Sequence, residues 1–155
     1  MTEKRDTAGI VAPPPLIYGG TLIVGLLLNR LLPVAFLPRN VARRVGALLI
    51  GLNFLVGMPA FMNMRRAGTS PNPATPTTAI VTTGPYRYTR NPIYLSFTVM
   101  YIGIATFANA LWALLLLPGV LAVMNQGVIS REEQYLERVF GKEYTEYKAR
   151  VRRWL

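Results

Sequence analysis

The apolar residues of this chain lie in long runs, and this arrangement limits the folds that it can adopt. Of the 155 residues, 52% are hydrophobic, and no Asp or Glu lies between Asp6 and Glu132. A helix of a water-soluble domain pairs an apolar face with a polar one, whereas a helix that crosses a bilayer is apolar along its length. The sequence therefore predicts an all-α fold, a polytopic membrane bundle of about four transmembrane helices followed by C-terminal amphipathic helices.

The predicted spans are separated by links of different character. The link between the third and fourth spans is short and uncharged, which predicts a helical hairpin with both outer ends on one side of the membrane. The link between the second and third is rich in Pro and Thr, and we expect an ordered loop or a lid outside the hydrocarbon. The four spans are predicted at residues 16–37, 45–64, 92–107 and 111–129.

Three regions follow from these spans. The first residues mix charges with three consecutive prolines, which is typical of a short tail. We therefore expect a mobile N-terminal tail at 1–15, a transmembrane bundle at 16–130 that includes a cofactor-site loop at 67–91, and cytoplasmic or interfacial helices at 131–155.

The charge and the missing residue types exclude several kinds of function. The net charge is +10, but the arginines are scattered at the ends of apolar segments, so anionic lipid headgroups or an anionic ligand fit it better than a nucleic acid. The chain has neither His nor Cys. We therefore expect no metal site and no thiolate nucleophile, and the usual proton acceptor near neutral pH is missing.

The orientation follows only in part from the positive-inside tendency. This tendency is satisfied if the cytoplasmic side contains the C-terminal tail together with Arg65, Arg66, Arg87 and Arg90. With four spans, the N-terminus then also lies in the cytoplasm. Arg39, Arg43 and Arg44 then fall on the other side, unless they lie on an interfacial helix or the first segment does not fully cross. We expect an integral membrane protein whose active site faces the cytoplasm.

Residues suited to binding are concentrated in segment 84–94, GPYRYTRNPIY. Its Gly-Pro pair is a turn signal, and Pro92 suits the first turn of a helix, where a missing N–H is harmless. Because Arg87 and Arg90 flank this helix start, an anion would meet both side chains and the positive end of the helix dipole. The alternative is a collar of Tyr and Arg that only anchors a span at the lipid interface.

Glu132 and Glu133 follow the end of the fourth predicted span. The hairpin places them beside Asn91 and Tyr94, at the same membrane face. Adjacent residues point to different faces of a helix, so we expect one carboxylate to face the bundle and the other to face water. The alternative is that both are surface charges at a solvated helix start.

The C-terminal region, residues 134–150, mixes aromatic and charged residues and contains Gly141 as a break. This pattern predicts two short amphipathic helices on the membrane surface. The tail at 150–155 combines arginines with Trp154, which favours anchoring to lipid.

Three motifs occur in order over roughly residues 78–150, about half of the chain. They are Gly-x-Tyr-x-x-x-Arg-Asn-Pro-x-Tyr, a pair of glutamates, and Phe-Gly-x-x-Tyr-x-x-Tyr. Together with the hairpin, they resemble the isoprenylcysteine carboxyl methyltransferase and phospholipid methyltransferase superfamily. In this sequence the motif residues are Gly84, Tyr86, Arg90, Asn91, Pro92 and Tyr94, then Glu132 and Glu133, then Phe140, Gly141, Tyr144 and Tyr147.

The resemblance implies an integral membrane enzyme that transfers a methyl group from S-adenosylmethionine to a lipophilic acceptor, which is a carboxylate, a thiol or a lipid headgroup. Its expected partners are this acceptor and membrane lipids. We expect Arg90, Glu132 and Arg131 to be the catalytic residues. The implied cofactor-binding residues are Thr78, Ala79, Ile80, Val81, Tyr86, Asn91, Pro92, Ile93, Tyr94 and Glu132.

Two positions depart from the family pattern. The commonest family residue at Asn91 is His, and prenylcysteine enzymes carry a substrate-binding arginine at the position of Val128. Arg131, from the next turn, is the expected substitute, and the identity of the acceptor stays open. The competing interpretation is a non-enzymatic membrane protein, either an accessory subunit or a small transporter. A proton-coupled transporter normally needs an ionisable acid within a span, and no predicted span has one.

Overall fold

The computed structural model describes residues 7–73 and 75–155, and this part of the chain is helical with no β-strand. The predicted all-α membrane bundle is thereby confirmed. Residues 1–6 of the predicted tail, and Ala74, lie outside the described residues. The helices are α1 (Pro14–Leu31), α2 (Arg39–Arg66), α3 (Pro92–Phe107), α4 (Leu111–Val123), α5 (Ser130–Phe140) and α6 (Lys142–Arg150).

Prolines determine both ends of α1. Pro14 is its first residue, where a missing N–H costs no hydrogen bond, and the helix ends at Leu31. The span predicted at 16–37 is therefore wrong at its C-terminal end. The physical reason is Pro33, which disfavours helical backbone in the residue before it. The 18 residues of α1 have a length of about 27 Å, close to the hydrocarbon thickness of a bilayer.

α2 is longer than the span predicted at 45–64, because it begins at Arg39 and includes the arginines that were open to an interfacial placement. Pro59 lies inside the helix without ending it. The 28 residues extend over about 42 Å, which exceeds the hydrocarbon thickness. Both arginine-rich ends of α2 can therefore reach beyond the hydrocarbon, on opposite sides.

The hairpin of α3 and α4 forms at the predicted residues, with α3 ending at Phe107 and α4 beginning at Leu111. Asn109, in the turn, adopts the left-handed region with a φ of 54°. Its side-chain Oδ1 accepts the N–H of Leu37 at 3.1 Å, and its Nδ2 donates to the carbonyl of the same residue at 2.7 Å. The turn thereby holds the loop between α1 and α2.

α4 and α5 are joined by a π-helical segment, Met124–Ile129, so the helix continues past the predicted end of the fourth span to Phe140. A π-helical turn departs from the regular backbone pairing of a helix. Here the Gly127 carbonyl accepts the N–H of Val11 at 3.1 Å, which fixes the segment before α1 to this helix.

Three helices in the described part of the chain are long and apolar enough to cross a membrane: α1, α2 and the continuous helix of α4 and α5. The 16 residues of α3 are also apolar but extend over only about 24 Å. α3 packs along α2, with Gly46 against Phe107 near one end and Asn53 hydrogen-bonded to Ser96 at 2.6 Å nearer the other. α3 also contacts α1, which packs along α4.

We predict that Gly46→Ala destabilises the bundle and that Gly51→Ala does not. A Cβ at Gly46 would overlap the backbone of Phe107, whereas a Cβ at Gly51 meets open space on the same helix. Overpacking of this kind costs about 1–3 kcal/mol, and removing a helical glycine by itself is favourable. Thermal unfolding of both variants in detergent checks this, and equal melting temperatures would contradict the close contact of α2 with α3.

Candidate active site

A cavity lies where α3 begins. Its walls come from the end of α2, the loop after α2, the first turn of α3, and α5. Arg90 and Glu133 also line it. Nine of the residues predicted to hold the cofactor line this cavity: Ala79, Ile80, Val81, Tyr86, Asn91, Pro92, Ile93, Tyr94 and Glu132. The structure thus brings together residues from three separate parts of the sequence.

Thr78 is the predicted cofactor residue that does not line the cavity. Its side chain is exposed, and its hydroxyl donates to the Gly68 carbonyl at 2.9 Å. Its backbone N–H donates to the Thr69 hydroxyl at 3.2 Å. These bonds join Thr78 to the beginning of the loop, so the position of Thr78 supports a role in loop structure rather than cofactor contact.

A short 3₁₀ turn, Gly84–Arg87, puts Tyr86 in the cavity wall. Gly84 has a φ of 60°, and a Cβ there would overlap the side chain of Asn63, so the turn requires glycine. Burial raises the pKa of the Tyr86 phenol above its ordinary value, with smaller contributions from Tyr147 and Glu132. Tyr86 is therefore a neutral ring at neutral pH.

The Arg90 side chain is 8% exposed and only partly paired. Its Nη2 lies 2.9 Å from Oε1 of Glu133. Its Nε and Nη1 are buried, and neither donates to an acceptor in the part of the chain that the structure describes. Since an unpaired buried donor costs about 1–3 kcal/mol, these two atoms suit an acceptor on a ligand. Arg87, predicted to share an anion with Arg90, is exposed and does not line the cavity.

The first turn of α3, residues 92–94, faces the same cavity. Asn91 stands at the helix cap but makes no capping bond with its side chain, whose Nδ2 donates to the Arg153 carbonyl at 2.9 Å. The first N–H groups of a helix have no partner within it, and the helix dipole makes this end positive. An anion in the cavity would therefore meet both Arg90 and the start of α3.

Glu132 lies in the cavity wall, and its Oε1 accepts a hydrogen bond from the Tyr94 hydroxyl at 2.5 Å. Among the described residues, no basic side chain forms an ion pair with it. A carboxylate has about four acceptor positions on its two oxygens, so Glu132 can accept further bonds from a cationic or hydroxyl-bearing ligand.

Glu133 also lines the cavity, so the expectation that one of the two glutamates faces water is wrong. It is 5% exposed and lies 2.9 Å from Arg90, 2.6 Å from Arg153 and 3.8 Å from Lys148. Adjacent helical residues do point in different directions, but α6 and the tail after it cover the face that would otherwise meet water. Burial of this carboxylate is compensated by three cations.

Arg131 lies outside the cavity lining, although we expected it to substitute for the arginine that prenylcysteine enzymes carry at the position of Val128. Its side chain is exposed, and Nη1 donates to the Gly9 carbonyl at 2.7 Å. Val128, the position of the substrate-binding arginine in prenylcysteine enzymes, is fully buried in the core. Neither position supplies a cation to the cavity, and the geometry gives no support to the role predicted for Arg131.

The C-terminal tail also belongs to the site. The N–H of Arg90 donates to the Arg152 carbonyl at 2.9 Å, and the Thr89 hydroxyl donates to the Arg153 carbonyl at 3.0 Å. The lipid anchor predicted for this tail is wrong for Arg153 and Trp154, because their polar groups are used inside the protein and Trp154 packs against the core.

The sequence contained one signal for this docking. Burial of a glutamate is costly unless nearby cations compensate its charge, and the tail contains arginines at 150, 152 and 153. Which of them turns inward depends on the bend at Gly141, where φ is 53°, and the sequence pattern does not provide the direction of that bend.

The phospholipid methyltransferase family matches residues 41–143, well over half of the chain. The matched stretch begins in α2, ends at the start of α6 and contains the whole cavity wall from the loop to Glu133. The fold and the match together define the class of the protein, a helical membrane protein of a methyltransferase family. This chain belongs to the phospholipid methyltransferase family.

An uncharacterized protein of Haemophilus influenzae is 64% identical over 33 residues, which are 21% of this chain and 52% of that protein. The chain therefore spans about half the length of the curated relative that it matches. No solved structure matches the chain.

We predict that Glu133→Gln destabilises the ligand-free protein more than Glu132→Gln does. Glu133→Gln removes the negative charge that pairs with Arg90 and two further cations, and breaking a buried ion pair costs about 3–5 kcal/mol. Glu132→Gln alters only the hydrogen bond from the neutral Tyr94 phenol, and a bond of this kind contributes about 1 kcal/mol to stability. Thermal unfolding in detergent compares the two, and a larger loss from Glu132→Gln would contradict the assignment of Glu133 as the structural carboxylate.

Proposed function

We propose that the cavity binds S-adenosylmethionine and that the protein transfers the methyl group of this cofactor to a lipophilic acceptor. The observation that carries the proposal is the pair of buried donors on Arg90, Nε and Nη1, which have no acceptor among the described residues. They lie in a wall that also contains the start of α3, Tyr86 and Glu132. The cofactor carries an anion, a cation and an aromatic base, and this wall offers a partner for each. Membership of a methyltransferase family supports the same reaction type.

The polar groups of the wall fit those of the cofactor. Its carboxylate suits Arg90 and the first turn of α3, because both present N–H donors to an anion. Its ammonium and ribose hydroxyls suit Glu132, whose carboxylate accepts hydrogen bonds from both. Its adenine suits the ring of Tyr86, which packs beside Val81. Ala79, Ile80, Pro92 and Ile93 are apolar residues of the same wall.

The protein's own residues would contribute mainly by positioning. When bound, the cofactor supplies a methyl group activated by a positively charged sulfur. The cavity residues hold donor and acceptor in one orientation and exclude water, which can provide a large share of the rate enhancement. Asn91, whose amide cannot titrate, would orient groups by hydrogen bonds only.

The phenols near the site are unsuited to act as bases. Burial raises the pKa of Tyr144 above its ordinary value and raises the pKa of Tyr147 to about 12, so both keep their protons at neutral pH. The chain also has no His. We therefore favour an acceptor that arrives ionised, as a carboxylate or a thiolate, with a lipid headgroup as the remaining class. The alternative is that Glu132, which lies in the cavity wall, accepts the proton of a neutral acceptor.

Two entrances to the cavity are needed, because the donor is soluble in water and the acceptor in lipid. The loop between α2 and α3 forms part of the cavity wall, and the Thr77 N–H donates to the Tyr135 hydroxyl at 3.1 Å, a bond that an opening movement of the loop would break. Met64 from α2 and Leu136 from α5 are apolar parts of the wall. The proposed donor route passes under the loop, and the proposed acceptor route passes between these two helices.

The proposed orientation puts the site in the cytoplasm. The end of α2 at Arg66, the turn with Arg87 and the arginines after α6 all lie at the end of the bundle where α3 begins. The positive-inside tendency favours cytoplasmic placement of such an end.

The experiment that tests the proposed function is calorimetric titration of the detergent-solubilised protein with S-adenosylmethionine and with S-adenosylhomocysteine. We expect micromolar binding of at least one. Glu132→Gln should weaken it by about 1–3 kcal/mol, the scale of a hydrogen bond to a charged group, and Glu133→Gln should weaken it less. Glu143→Gln, at an exposed position, is the control. Absence of binding by both compounds would favour a non-enzymatic subunit.

A second titration tests the role of Arg90. Arg90→Lys keeps a positive charge near Glu133 but removes the Nε and Nη1 donors. It should weaken S-adenosylhomocysteine binding by about 1.5–3 kcal/mol and leave methylthioadenosine, which lacks the carboxylate, nearly unchanged. The exposed Arg87→Lys is the matched control and should bind both like the wild type. Equal weakening of the two ligands would show that Arg90 acts on the fold rather than on the carboxylate.

A further inference from the structure

The C-terminal tail, residues 151–155, contacts two walls of the cavity at once. Its backbone carbonyls hold the turn before α3, and its Arg153 side chain holds Glu133 on α5. We propose that Arg153 is a positioning residue, which keeps Glu133 and the 89–91 turn in place so that two donors of Arg90 remain free for a ligand. The identity of that ligand rests on the proposed function, whereas the docking of the tail does not.

The first observation is the set of backbone contacts to the turn. The Arg153 carbonyl accepts from the Thr89 hydroxyl at 3.0 Å and from the Asn91 amide at 2.9 Å. The Arg152 carbonyl accepts the N–H of Arg90 at 2.9 Å. All three residues of the turn that leads into α3 are therefore bonded to two consecutive residues of the tail.

The second observation is the geometry at Glu133. Arg153 donates to both carboxylate oxygens, from Nε to Oε1 at 3.0 Å and from Nη2 to Oε2 at 2.6 Å. For Arg90, the ion-pair contact with Glu133 is from Nη2 to Oε1 at 2.9 Å. A two-pronged contact of this kind fixes a carboxylate in orientation as well as in charge. Without it, Glu133 is free to turn toward Nε and Nη1 of Arg90 and to compete with a ligand anion for them.

The third observation is that the tail has an independent attachment one residue further on. Trp154 Nε1 donates to Asn125 Oδ1 at 3.0 Å, within the π-helical segment, and the ring packs against the core. Removal of the Arg153 side chain should therefore loosen the tail without releasing it completely. The side chain of Arg152 is exposed, so Arg152→Ala removes an adjacent positive charge and serves as the matched control.

The ligand-free test uses Trp154 as the reporter. The chain has two tryptophans, so Trp112→Phe leaves Trp154 as the single source of tryptophan emission. In this background we expect Arg153→Ala to raise the acrylamide quenching constant of Trp154 at least about twofold, Arg153→Lys to raise it less, and Arg152→Ala to leave it unchanged. Unchanged quenching in Arg153→Ala would overturn the inference, whether or not the protein binds a methyl donor.

The binding test separates positioning from general destabilisation. In Arg153→Ala we expect about tenfold weaker binding of S-adenosylhomocysteine, less than twofold change for methylthioadenosine, and partial recovery in Arg153→Lys. If Arg153→Ala does not fold, the two ligands are compared in Arg153→Lys instead, where we expect a smaller difference between them. Equal weakening of both ligands would indicate a merely structural role and overturn the inference. If the wild type binds neither ligand, the proposed function fails and the quenching result alone decides on Arg153.

Discussion

The carboxylate of Glu133 is the interaction on which the arrangement of the site depends. A buried charge costs several kcal/mol unless it is paired, and this one is paired with cations from three separate elements. Arg90 comes from the turn before α3, Lys148 from α6 and Arg153 from the tail. Because these elements converge on one anion, the carboxylate determines how the C-terminal region folds back over the end of the bundle.

The two neighbouring glutamates divide the chemistry of the site between them. Both oxygens of Glu133 are occupied by cations, so it serves structure, whereas Glu132 is bonded to the neutral phenol of Tyr94 and keeps acceptor positions for a ligand. The two arginines differ in the same way. Arg153 donates to Glu133 from Nε and Nη2, whereas Nε and Nη1 of Arg90 have no acceptor in the part of the chain that the structure describes. The free acceptor and the free donors both lie in the cavity wall.

The sequence was most informative where local patterns determine structure. The start of α3 at Pro92 and the hairpin around Asn109 follow from proline geometry and a short link, and both were predicted at the correct residues. The end of α1 was missed because the apolar run continues past Pro33 although the helix does not. The burial of Glu133 and the docking of Arg153 could not be predicted, since residues 20 positions apart meet only through the bend at Gly141.

The unequal lengths of the helices explain why a polar cavity can exist in an apolar bundle. α3 extends over about 24 Å and its partner α2 over about 42 Å, so α3 cannot match both ends of α2. Polar backbone and charged side chains are tolerated at membrane depth only where protein or a water-filled cavity surrounds them. Beyond the start of α3, the loop and the C-terminal tail supply that cover. The cavity therefore lies at the level where α3 begins, with apolar residues of α2 and α5 in its wall, and this position suits the two routes proposed for donor and acceptor.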